Sequence, residues 1–142
     1  MLQQEYLTML ALDSCVVIGT IKSPNLARKV FRLFKGKQSC IVLQDVVFKE
    51  AQKVLKIPKE EILEKIGTIL RKEVCVFTTT DDMRRDAKRI ENQYGICHCP
   101  DSIILSAAKL RSWTLLSMDR DLLRTADFEG ILAFNPLKVG GL

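Results

Sequence analysis

The chain has 142 residues, 47% of them apolar and 27% charged, and carries a net charge of +5. That length predicts a single domain with its own hydrophobic core, and the balance is that of a globular protein, not of a disordered or fibrous chain. No apolar run reaches the roughly 18 residues of a membrane-spanning helix, so no membrane partner is expected, and the expected location is the cytoplasm.

The opening "MLQQEYLTMLALD" lacks the basic stretch and small-residue cleavage site of a signal peptide. Five cysteines make an odd count, and Cys15, Cys40 and Cys75 each lie in or beside an apolar run. They read as buried thiols of a reducing compartment and not as a disulfide framework. The excess of positive charge favours a polyanionic partner.

The first element is "LTMLALD" (7–13), nearly all apolar, as in a strand covered on both faces. In "SPNLARKVFRLFKGK", Leu26, Val30, Leu33 and Phe34 fall on one helix face, and Gly36 suits the helix end. "SCIVLQ" (39–44) is a second strand, followed by a helix over 45–56. "IPKEEILEKIGTILRK" is another helix, with Pro58 near its start and Ile62, Leu63, Ile66, Ile69 and Leu70 as its buried stripe. "VCVFT" (74–78) is a third strand. "DDMRRDAKRIENQYG" is a helix with Met83, Ala87, Ile90 and Tyr94 inward and Gly95 as its stop, and "PDSIILSAAKLR" is the next helix. "WTLLS" (113–117) and "ILAF" (131–134) are the last strands, and "KVGGL" reads as a short flexible tail, leaving 1–137 as the domain. Strands recurring with intervening helices predict an α/β domain with a mostly parallel sheet of about five strands. Sites in such sheets lie beyond the carboxyl ends of the strands.

Acids stand at those ends. Asp13 closes the first strand and Asp119 lies just past the fourth. Asp101 sits in the first turn of a helix, where the macrodipole favours a carboxylate. Glu50 departs from the polar face of its helix (Lys49, Gln52, Lys53, Lys56) and lies beside Val46, Val47, Ala51 and Val54. A charge near a buried face requires a partner. Four acids in one cleft repel, so either some take up protons or a cation joins them. Oxygen-only sites suit Mg²⁺ or Mn²⁺, and such ions serve phosphodiester hydrolysis. Asp101 and Asp119 also read as helix caps.

The order and context of these acids resemble the PIN domain, a nuclease fold common among toxin–antitoxin ribonucleases of the VapC type. "LALDSCVVIGTIKSPNLARKVFRLF" resembles that family's first strand, first acid (Asp13) and helix. "IVLQDVVFKEAQKVL" resembles the segment carrying the second acid, Glu50. "HCPDSIILSAAKLRSWTLLSMDRDL" is similar to the segment with the third acid, Asp101, on a helix rich in small residues, followed by a strand and a Ser/Thr-x-Asp pattern at Ser117-Met118-Asp119. The resemblance implies a three-layer α/β/α fold, a divalent-metal-dependent endoribonuclease acting on RNA, an antitoxin partner and a homodimer. It implies Asp13, Glu50, Asp101 and Asp119 as catalytic and metal-holding acids, Asp121 as an outer ligand, and Ser14 and Ser117 as supporting hydroxyls. Cys15 departs from the pattern, standing where the family often has Asn or Ser.

Cys97, His98 and Cys99 do not read as a zinc site. They are consecutive, whereas structural zinc ligands come as spaced pairs, and the chain has one His. Strand-like alternation predicts Cys97 and Cys99 on one side and His98 packed on the other. Most basic residues are solvated helix faces. Arg120 beside Asp119, and Lys22 and Asn25 in the loop expected after the first strand, are candidates for phosphate contact. Trp113 reads as core or dimer surface. An RNA-processing nuclease, and a PIN-like module that binds RNA or protein without catalysis, are the competing functions.

Overall fold

Cys40, Ile41, Val42, Leu43 and Gln44 are buried one after another. Successive strand residues point to opposite faces, so both faces of the sheet at this strand are covered. The computed structural model describes residues 8–138. Its strands are β1 (Thr8–Leu12), β2 (Ser39–Gln44), β3 (Val74–Phe77), β4 (Thr114–Leu116) and β5 (Ala133–Phe134). The helices are α1 (Ser14–Lys22), α2 (Pro24–Phe34), α3 (Asp45–Leu55), α4 (Lys59–Leu70), α5 (Asp81–Tyr94), α6 (Asp101–Arg111) and α7 (Arg120–Phe128).

The five strands form one sheet in the order β3-β2-β1-β4-β5. Every pairing is parallel. Helices α1 to α4 pack on one another, and α5, α6 and α7 form a second set. The result is the expected three-layer α/β/α arrangement. The chain builds outward from β1 through β2 to β3, then returns to the other side of β1 for β4 and β5. The reversal opens a crevice beyond the carboxyl ends of β1 and β4, where open parallel sheets bind ligands.

Two helices differ from the sequence reading. Residues 14–22 form α1, ahead of the helix expected after the first strand. Asp13 caps it by accepting the N–H of Val16, and it buries Ser14, Val16, Val17 and Thr20. Residues 120–128 form α7, capped by Asp119 and buried through Leu122, Thr125 and Ala126. The other elements lie where periodicity placed them, and Gly95 ends α5 at φ 73°, a left-handed turn that glycine adopts without strain.

The core runs through Leu10, Leu12, Ile41, Leu43, Ile62, Ile66, Ile104 and Leu115. Trp113 belongs to it, edge-on to Phe77 at 4.9 Å between ring centroids. Of the three cysteines expected to be buried, Cys40 is, Cys15 is half-buried and Cys75 is exposed on the edge strand β3. Among the described residues, no helix is long and apolar enough to cross a membrane. The expected start of the first strand at residue 7, the opening segment before it and the tail beyond 138 lie outside the described residues.

Candidate active site

Asp13 follows β1 directly and turns the chain into α1. The turn buries its carboxylate, leaving the residue 2% exposed. Oδ1 accepts the Val16 N–H at 3.0 Å and the Cys15 thiol at 2.9 Å. Oδ2 accepts the hydroxyl of Ser117. Burial raises the carboxyl's pKa, the three donors oppose the rise, and the charge of Asp119 adds to it. Cys15 therefore fills the departure from the family pattern as a hydrogen-bond donor. Burial and the neighbouring Asp13 push its own pKa up to about 12, so the thiol keeps its proton.

Ser117 ends β4 across the crevice and is fully buried. While donating to Asp13 it accepts the backbone N–H of Asp119 at 3.0 Å. One hydroxyl thus couples the turn after β1 to the turn after β4. Asp119 accepts the Leu122 N–H at 3.0 Å, so it is a helix cap and also stands at the crevice. Its side chain reaches solvent, as do those of Arg120 and Asp121 in the first turn of α7. The charge of Asp121 acts on the buried Cys97 thiol, as do those of Asp101 and Asp119.

Asp101 is the first residue of α6, and Pro100, not Asp101, occupies the cap position. The helix is buried from Ser102 to Ala108, and the small residues Ser102, Ser106, Ala107 and Ala108 let it sit deep in its layer. Asp101 is carried in with it. Its pKa rises to about 7, first through burial and then through the charges of Asp119, Asp13 and Glu50. Each of the other three acids is therefore close enough to Asp101 to act on it.

Glu50 lies next to the buried face of its helix, as the sequence suggests. The buried face of α3 is Val47, Phe48 and Ala51, whereas Glu50 is exposed and Val54 is 45% exposed. The charge stands beside the buried face and not against it. Its partner is Ser14, whose hydroxyl donates to Glu50 Oε2 at 2.7 Å. Sequence reasoning missed the group that seats this helix. Asp45 accepts the Thr79 N–H at 3.1 Å and the Thr79 hydroxyl, which itself accepts from Gln44 Nε2 at 2.8 Å. An Asp directly after a strand, as at position 13, was the available signal.

Other expected contacts are not gathered here. Lys22 and Asn25 do not lie in a strand-end loop. Lys22 is the last residue of α1, about 13 Å along the helix axis from Asp13 at 1.5 Å per residue, and Asn25 is in the first turn of α2. Residues 97–99 are not a strand, and their side chains do not alternate as expected. Cys97 is buried, while His98 and Cys99 are both exposed. Burial and the charges of Asp101 and Asp119 push Cys97 up to about 12, so this thiol too keeps its proton.

Among the described residues, no three His, Cys, Asp or Glu side chains are gathered tightly enough to enclose an ion. Of the four acids, Glu50 and Asp119 are exposed, Asp101 is half-buried and Asp13 is buried. Mg²⁺ keeps several waters and takes only one or two carboxylates directly. Carboxylate and hydroxyl oxygens are the donor types such an ion takes, and Mn²⁺ takes the same ones. Burial first, and then the charges of Asp119, Asp13 and Glu50, keep a proton on Asp101 up to about pH 7.

The fold agrees with comparisons to other proteins. The chain resembles VapBC2 from Rickettsia felis, solved bound to a promoter DNA fragment (TM-score 0.64, 18% identity, 90% of this chain and 98% of that one). It also resembles DNA-bound VapBC from Salmonella typhimurium (TM-score 0.63, 21% identity, 92% and 99%). A toxin–antitoxin complex from Klebsiella pneumoniae is similar as well (TM-score 0.62, 18% identity, 89% and 97%). No curated protein sequence matches the chain. Residues 10–128, which carry all four acids, match the PIN domain, and the chain belongs to that family.

Proposed function

We propose that the chain is a divalent-metal-dependent endoribonuclease and the toxin of a toxin–antitoxin pair. The observation that carries the enzymatic reading is that Asp13 and Asp119 share Ser117 at the crevice where the sheet reverses, with Asp101 near enough to feel both charges and that of Glu50. Asp13, Glu50, Asp101 and Asp119 would hold one or two Mg²⁺ or Mn²⁺ ions, with Asp121 an outer contact. When bound, such an ion supplies an activated water and steadies charge on the phosphodiester oxygens.

The chain's own residues supply the positioning. Ser117 and Cys15 hold the carboxylate of Asp13 between them, and Ser14 holds that of Glu50. The N-terminus of α7 orients Asp119 through the Leu122 N–H. Asp101 would hold the ion in its deprotonated form. Arg120, exposed beside Asp119, is placed for a phosphate, and the net charge of +5 draws a polyanion toward the cleft. Lys22 and Asn25 would meet a strand only where it runs on past α1.

Likeness to chains solved in toxin–antitoxin complexes supports the biological role and an antitoxin partner. Phe128 and Leu132, 62% and 59% exposed, offer apolar surface to a second copy in a homodimer. The enzymatic reading is tested by incubating a labelled single-stranded RNA with the protein in Mn²⁺ or in EDTA. Cleavage that requires both metal and an intact Asp101 is expected. RNA binding without cleavage would instead favour a non-catalytic module. Growth arrest on expression, relieved by Asp13→Asn, is expected of a toxin; harmless expression of an active enzyme would point to RNA processing.

A further inference from the structure

Away from the acidic cleft, two cysteines meet on neighbouring strands. Val42 of β2 is paired with Cys75 of β3, and Cys40 lies two residues before Val42. Side chains two apart on a strand share a face, so Cys40 and Cys75 project from the same side of the sheet. Their sulfurs are 3.0 Å apart. Cys40 is 3% exposed and also lies within 3.4 Å of the Glu73 carbonyl oxygen, whereas Cys75 is exposed on the edge strand.

We propose that Cys40 and Cys75 form a redox-active dithiol that small-molecule disulfides, of the class of oxidised glutathione, convert to an intramolecular disulfide. Cys75 reacts first because reagent can reach it. Burial and the adjacent Cys75 push the Cys40 thiol up to about 12, so Cys40 is protonated and inert until its neighbour is activated. Cys75 loses its proton to solvent and its sulfur attacks one sulfur of the small disulfide. That S–S bond breaks, and one small thiolate leaves and is protonated. Cys40 then releases its proton and attacks the Cys75 sulfur, the mixed disulfide breaks, and the second small thiol departs. Two protein thiols are oxidised and one small disulfide is reduced to two thiols. The product ties the exposed edge strand β3 covalently to β2.

The test incubates the full folded chain with oxidised glutathione, blocks remaining thiols by alkylation and maps the peptides by mass spectrometry. The expected result is a Cys40–Cys75 linked peptide pair lighter by the mass of two hydrogens, with no lasting glutathione on Cys75. The Cys40→Ser variant should stop at a glutathione adduct on Cys75, and Cys75→Ser should leave Cys40 unmodified. A wild-type protein that keeps the adduct on Cys75, keeps both thiols free, or forms its disulfide elsewhere would overturn the proposal.

Discussion

Ser117 and Asp13 are 104 positions apart in the chain, yet the hydroxyl of one donates to the buried carboxylate of the other. The bond spans the crevice between β4 and β1, joining the two halves of the sheet where strand order reverses. Replacing Ser117 by Ala leaves Asp13 with one donor fewer in a buried setting. Loss of such a bond costs about 1–3 kcal/mol of stability, and loss of a group that orients a metal-holding carboxylate lowers ion affinity about 10- to 100-fold. Denaturant unfolding and Mn²⁺ calorimetry on the Ser117→Ala variant measure the two effects separately. Unchanged values in both would remove Ser117 from the site.

Asp101 makes stability depend on pH in a stated direction. The folded chain holds the proton to about pH 7, whereas the group's ordinary value is 3.8. Between those values the native state binds more protons than the unfolded state, so this contribution is full below about pH 4 and is lost as pH rises through about 7. In metal-free buffer the denaturant midpoint should fall across that window, and Asp101→Asn should flatten the fall and be more stable than wild type at neutral pH. Mn²⁺ should reverse the trend, binding more tightly as pH rises to about 7, because the ion competes with the proton. A midpoint that climbs across the window in both proteins would contradict the environment assigned to Asp101.

Cys15 is a donor to Asp13 and not a spectator. Cys15→Ser keeps a donor at the same place and should preserve Mn²⁺ affinity within about threefold, whereas Cys15→Ala should lower it about tenfold or more. Equal behaviour of the two variants would show that the thiol fills space only.

Ser14 and Glu50 provide a case where structure and stability part. Glu50 is exposed, so Ser14→Ala should change unfolding free energy by less than about 1 kcal/mol. Metal-dependent RNA cleavage should nevertheless drop about tenfold, since Glu50 is then free to swing into solvent. A loss of stability without loss of cleavage would reverse this assignment.

What the sequence made legible follows from where its signals are local. The run from Cys40 to Gln44 announces a strand covered on both faces, and Leu26, Val30 and Phe34 announce α2. By contrast, "SCVVIGTIK" is apolar on several sides, β-branched and interrupted by Gly19, so neither strand nor helix period stands out; the Asp13 cap and burial against α3 and α4 decide for helix. Asp13 and Asp119 are visible as acids at strand ends. That the charge of Glu50 is felt at Asp101 depends on how α3 and α6 pack against the sheet, which no spacing within either helix encodes. Cys15 was legible as a departure from a pattern, but its role as donor depends on the geometry of the first turn of α1. Residues 97–99 misled because alternation was applied to a segment that is loop.

The most direct measurement is calorimetric titration of Mn²⁺ into the wild-type chain and into Asp13→Asn, Glu50→Gln, Asp101→Asn and Asp119→Asn, at a pH above 7 where Asp101 has released its proton. If the four acids form one divalent-ion site, the wild type binds and each variant loses affinity, with the released heat tracking the same event. Binding that survives all four substitutions, or a folded wild type that binds no ion, would contradict a shared metal site at the β1–β4 crevice.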